Sequence, residues 1–195
     1  MATINKTHSL LYLLIFFILI CIQSCGQKEK TVESANFDYA EVFSQKIQEI
    51  EKENINRHVE DQYVYWGNDS LTSSKLSDLT DGKRIFFYYT QQTCQPCVEE
   101  TVKYIEAEIP KYISDDRIHF ISPDMVKRFR NDAYGKKLLV LEKEKIGLPI
   151  EGNAHIPFFV VINKDLSIET IHVVDKMNYN RTKTFLRNIM KNWNN

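Results

Sequence analysis

Two cysteines with a two-residue spacer, Cys94-Gln95-Pro96-Cys97, are the side chains of this 195-residue chain best suited to chemistry. They follow residues 84–90, an apolar and aromatic run of strand length that fits a buried central strand. After them Val98, Val102, Ile105 and Ile109 recur at intervals of three and four, a helical stripe that Pro110 helps terminate. Cys94 is therefore predicted to stand where a strand passes into the first turn of a helix. Unpaired N–H groups and the helix dipole stabilise an anion there and lower the thiol pKa from its ordinary value of about 8.5. The spacer lets Cys97 reach back and close a disulfide, and Pro96 removes an N–H that the opening turn does not need. Such a pair supports thiol–disulfide exchange, in which Cys94 attacks a partner disulfide and Cys97 resolves the mixed disulfide.

Two plainer readings of the pair stay open, a structural disulfide and half of a zinc site. Zinc takes about four ligands, and the histidines at 8, 58, 119, 155 and 172 form no partner motif. Val98 rather than His follows the pair, which excludes haem attachment in its usual form. No metal and no cofactor are expected. His155 reads as a loop residue that can approach the rim of the site, and His119 and His172 as surface or partly covered strand positions. Glu99 and Glu100 read as solvated carboxylates unless one turns inward toward the cysteines.

The rest of the chain must position that pair. From residue 39 to about 58, Val42, Phe43, Ile47, Ile50 and Ile55 recur at helical spacing. Residues 63–66 read as a short extended piece, 117–122 as a strand, and 123–131 as the start of a helix. Leu138 to Leu141 fits either a helix or an additional strand. Residues 155–162 form a strand entered through Pro157, with a turn at 163–165 and a partner strand at 167–174. Asn180 is placed to cap a final helix that buries Phe185, Leu186, Ile189 and Trp193. From residue 84 onward the order is β-α-β-α-β-β-α.

The N-terminus reads differently. Residues 10–22 form an uncharged apolar run after Lys6, short for a membrane span of about 20 residues but of the length of a signal-peptide core. It ends in Ile22-Gln23-Ser24-Cys25, which resembles the lipobox of bacterial lipoproteins, with Ile in place of the more usual Leu. The resemblance implies cleavage before Cys25 and acylation of its thiol, since two or more acyl chains hold a soluble domain at a bilayer. An ordinary secretory signal or a retained anchor is the alternative. The formal net charge of the chain is -1, and removing residues 1–24 takes away one lysine and no acid. That balance excludes a strongly basic nucleic-acid binder.

Thr93-Cys94-Gln95-Pro96-Cys97, together with Ile156-Pro157 immediately before Phe158-Phe159-Val160-Val161-Ile162, resembles the thioredoxin fold. The nearest resemblance is to membrane-tethered thiol–disulfide oxidoreductases of the TlpA and ResA kind. It implies an α/β thioredoxin-like fold, a central mixed β-sheet flanked by helices, with an N-terminal helical extension and an insertion around residues 124–153, before a cis-proline strand. The implied organisation is signal peptide 1–24, tether 25–36, extension 37–75 and thioredoxin-like domain 76–195. The resemblance further implies that Pro157 is cis and that the backbone of Ile156 faces a partner peptide beside Cys94. Thr93 replaces the family's common aromatic residue, and Tyr88 stands where thioredoxins place a buried acid, leaving Glu99 or Glu100 as the available proton acceptors.

The implied function is reduction of protein disulfides on the extracytoplasmic side of a bacterial envelope, with a membrane redox donor because that compartment is oxidising. Pro96 in the spacer leans toward reduction. A tethered oxidase or isomerase, or a binding lipoprotein with a closed structural disulfide, uses the same residues, and a peroxidase fits them less well.

Overall fold

The protein's structure, a computed structural model, describes residues 38–67, 69–123, 134–153 and 155–193. The signal segment, Cys25 and residues 124–131 of the expected second helix lie outside them. Seven strands form one mixed sheet: β1 (Tyr63–Trp66), β2 (Asp69–Lys75), β3 (Arg84–Tyr88), β4 (Ile118–Ser122), β5 (Leu138–Leu141), β6 (Phe158–Ile162) and β7 (Ile168–Val173). Their spatial order is β2-β1-β5-β4-β3-β6-β7. Among the described residues three helices flank the sheet: α1 (Tyr39–Asn54), α2 (Gln95–Glu108) and α3 (Tyr179–Trp193). This is the thioredoxin-like α/β arrangement that the resemblance implies.

Strand β3 lies inside the sheet, parallel to β4 and antiparallel to β6. Its aromatic run is buried on both sides because successive side chains point to opposite faces. Phe86 and Tyr88 pack with Ile47 of α1, while Ile85, Phe87 and Tyr89 pack with Val98, Val102 and Ile105 of α2 and Leu186 of α3. Phe87 stacks on Phe159 at 4.7 Å between ring centroids, and Tyr88 stacks on Phe158 at 4.5 Å. Each face of the sheet thus carries its own apolar layer.

The segments expected to be an extension and an insertion both enter the sheet. Leu138 to Leu141 is a strand, parallel to β4 on one side and antiparallel to β1 on the other. Through it the hairpin of β1 and β2 continues the sheet. Helix α1 is held to β7 and α3 by Glu51, which accepts the Val173 N–H at 2.7 Å and pairs with Arg181. Burial pushes the Glu51 carboxyl above the ordinary carboxylate range, against the pull of those two partners. Asn54 at the end of α1 is buried and bridges Ile50 to Ile150, tying the helix to the 3-10 turn Pro149–Asn153.

Several sequence expectations are corrected. Helix α3 starts at Tyr179, so Asn180 lies inside its first turn rather than capping it. Leu186 is fully buried, while Phe185, Ile189 and Trp193 are half-buried against the same layer. His119 and His172 are not surface positions, with 6% and 3% exposure. His119 lies against the rings of Phe86 and Trp66, and His172 stacks on Phe185 while its Nε2 meets the Thr182 hydroxyl at 2.9 Å.

Burial lowers the pKa of His119 to about 4 and that of His172 to about 3, because the charged imidazolium loses its solvent. Both stay neutral in the fold while the unfolded chain takes up protons below about pH 6.5, so acidification favours unfolding. Stability is expected to fall from pH 6.5 to pH 5 by up to about 1.4 kcal/mol per unit for each histidine. Urea unfolding across that range measures it, and His119→Phe should flatten the decline.

Candidate functional site

Antiparallel pairing brings distant segments to one end of the sheet. Tyr88 at the end of β3 is opposite Phe158 at the start of β6, and Phe158 is opposite Val173 at the end of β7. The loop after β3, the residues before β6 and the residues after β7 therefore meet there. Helix α2 opens at the same place, with Cys94 as its N-cap residue and Pro96 in its first turn. The Cys94 carbonyl accepts the N–H groups of Cys97 and Val98 at 3.0 and 3.1 Å.

Cys94 and Cys97 form a disulfide, with 5.2 Å between their Cα atoms. Cys94 is exposed, whereas Cys97 is 8% exposed. Cys94 is therefore the more open residue of the pair. The Cys97 backbone is held from below, its carbonyl accepting the Thr101 hydroxyl at 2.7 Å.

Thr93 is fully buried and shapes the loop. Its hydroxyl accepts the Thr90 N–H at 2.8 Å and lies 3.3 Å from the Thr90 hydroxyl, which itself accepts the Gln92 N–H at 3.1 Å. The position that the resemblance gives to an aromatic ring is thus a polar knot between the strand and the helix. The Cys94 N–H donates to the His155 carbonyl at 3.2 Å, and the His155 ring Nδ1 lies 3.3 Å from the Gln92 carbonyl. A carbonyl only accepts, so Nδ1 carries the proton in that contact.

The Ile156–Pro157 peptide is not cis: among the described residues every peptide bond is trans. The trans form is the lower-energy isomer of an X–Pro bond by about 0.5–1 kcal/mol. Three hydrogen bonds hold the segment against the cysteines in that form: Cys94 to the His155 carbonyl, Ile156 N–H to the Asn153 carbonyl and Val174 N–H to the Pro157 carbonyl. Among the described residues no hydrogen bond to the Ile156 carbonyl is found.

A cleft of about 200 Å³ opens beside the disulfide, lined by Phe43, Cys94, Cys97, His155, Ile156, Pro157, Val174 and Lys176. Glu99 and Glu100 do not line it. Glu99 accepts from the Gln95 amide at 2.8 Å and Glu100 pairs with Lys103 at 2.8 Å, both on the outer side of α2. Phe43, Val174 and Lys176 were invisible to local sequence reasoning as site residues, because only the long-range packing of α1 and β7 delivers them.

Sequence reasoning also missed Glu151. Tyr88 donates its hydroxyl to this buried carboxylate at 2.9 Å, and the N–H groups of Ile146, Gly147 and Leu148 donate to it at 2.9, 2.9 and 2.8 Å. A buried acid does adjoin Tyr88, brought by a short 3-10 turn rather than by the strand. Among the described residues no group of three or more His, Cys, Asp or Glu is placed to hold a metal ion.

No family model and no curated protein matches the chain. Several solved structures are similar to it. A thiol:disulfide interchange protein from Bacteroides sp. is 13% identical at a TM-score of 0.47, covering 70% of this chain and 90% of its own. PrxQ from Xylella fastidiosa is 13% identical at 0.48, with coverage of 71% and 96%. The peroxidoxin BcpB from Mycobacterium tuberculosis is 17% identical at 0.45, with coverage of 70% and 97%.

The Thr93 knot has a direct test. Thr93→Val keeps the volume but leaves the buried Thr90 N–H without its acceptor, and should cost about 1–3 kcal/mol in urea unfolding of the oxidised protein. Thr93→Ser, which restores the oxygen, should recover most of that loss.

Proposed function

We propose that this protein is a thiol–disulfide oxidoreductase that reduces protein disulfides. The observation that carries the reading is the unequal exposure of a closed Cys94–Cys97 pair at the start of α2. In the reduced protein the Cys94 thiolate attacks a substrate disulfide. A bond forms between the Cys94 sulfur and one substrate sulfur, and the other substrate sulfur leaves as a thiolate. Cys97, held one turn away, then attacks the Cys94 sulfur, closes the protein disulfide and releases the second substrate thiol. The protein dithiol loses two electrons and the substrate disulfide gains them. Gln95 and Pro96 keep the pair within one turn, Thr93 fixes the loop, and Ile156 and Pro157 form the wall along which the substrate lies.

The same proposal places the chain at the bacterial envelope, lipid-anchored through Cys25 on the extracytoplasmic side. The apolar run 10–22 and Ile22-Gln23-Ser24-Cys25 support it. An oxidising compartment then requires a membrane redox donor to return the pair to its dithiol form. Nothing in the charge of the chain recommends nucleic acid as a partner.

Cys97→Ser should accumulate mixed disulfides with substrate proteins, whereas Cys94→Ser should accumulate none; a gel under non-reducing conditions distinguishes them. A redox titration of the full chain, read by thiol-labelling mass shift, should give a two-electron transition below roughly −220 mV. A value near −120 mV instead marks an oxidase, and a pair that stays closed in excess dithiothreitol returns the disulfide to a structural role. For the anchor, Cys25→Ala should abolish incorporation of labelled fatty acid and move the protein from the membrane to the soluble fraction.

A further inference from the structure

The cleft beside the disulfide has a composition of its own. Phe43, Ile156, Pro157 and Val174 make its walls apolar, and no carboxylate is among its lining residues. Lys176 stands exposed at this cleft and makes no hydrogen bond or ion pair among the described residues. Phe43 comes from α1, and Val174 and Lys176 from the segment after β7, so the far wall is built by elements outside the motif. Val42, next to Phe43 in the chain, and Met177, next to Lys176, are 46% and 58% exposed.

We propose that Phe43 and Lys176 select the substrate: a protein disulfide whose attacked cysteine is preceded by an apolar side chain and, beside that, by an acidic one. This rests on the oxidoreductase reading above. A cleft of about 200 Å³ holds one apolar side chain, comparable to the dry cavities of about 150 Å³ that take up a benzene ring. The Ile156 carbonyl, which has no hydrogen bond among the described residues, accepts a backbone N–H of the same segment, which sets the cysteine beside Cys94. A carboxylate on the substrate meets Lys176, the one lysine in the lining and a cation without an internal partner. A basic segment meets like charge at the same point.

The test uses the full chain, reduced with dithiothreitol and freed of it. The probes are symmetrical disulfides of three blocked peptides, Asp-Leu-Cys, Lys-Leu-Cys and Asp-Gly-Cys, with bis(2-hydroxyethyl) disulfide as a small neutral control. Closure of the Cys94–Cys97 pair is followed by thiol-labelling mass shift under single-turnover conditions. The Asp-Leu-Cys disulfide should react about 5-fold faster than the Lys-Leu-Cys disulfide and about 10-fold faster than the Asp-Gly-Cys disulfide. Lys176→Glu should invert the first ratio, and Phe43→Ala should bring the second close to one. Equal rates for the three peptides, with the small disulfide still reduced, overturn the selection and leave the oxidoreductase reading standing. Failure to reduce any of the four probes overturns both.

Discussion

The antiparallel register of β3 and β6 is the constraint on which the site depends. With Tyr88 opposite Phe158, the three residues before β6 fall beside the loop that carries Cys94, and the Cys94 N–H reaches the His155 carbonyl. A slip of one residue would turn every side chain of β6 to the other face. The stacked pairs Phe87–Phe159 and Tyr88–Phe158, one on each face of the sheet, make that slip costly. Rigid packing of aromatic rings therefore fixes a disulfide's surroundings several ångströms away from the rings themselves.

Much of this was legible in the sequence, for identifiable reasons. The cysteine spacing, the aromatic run of β3, the stripe of α2 and the hairpin of β6 and β7 are all local patterns, so periodicity and turn residues reveal them. The origin of Phe43, Lys176 and Glu151 as neighbours of the active end was not legible. Each arrives through pairing or packing between segments far apart in the chain, which no window of adjacent residues records. The same limit explains β5 and β1, whose mutual pairing links residues 64–66 to residues 139–141. His119 and His172 misled because alternation in a strand says which residues share a face, not whether a helix or a second ring covers that face.

Four buried or half-buried polar side chains of this molecule are well partnered, unlike Asp175, whose Oδ2 is buried without a hydrogen bond among the described residues. Glu151, Asn54, Thr93 and Glu51 are each taken from water only with partners in hand: three backbone N–H groups and a tyrosine hydroxyl, two backbone groups, a threonine N–H, an N–H and a guanidinium. Such groups are costly when unpaired and directional when paired. They join elements that apolar contact alone would leave free to slide. Glu51 and Asn54 do this for α1, which makes a helix outside the cysteine motif a fixed wall of the cleft.

The burial of Cys97 has a consequence for how the protein must work in sequence. Cys94 is the more exposed residue of the pair, so in the proposed exchange it is the one that meets a large molecule, whether that molecule is delivering electrons or receiving them. Donor and acceptor thus compete for a single atom and cannot be engaged together. The proposed cycle is then an alternation of two binary encounters, each leaving the protein in the state that only the other can use. Its throughput is set by whichever visitor arrives more slowly at Cys94.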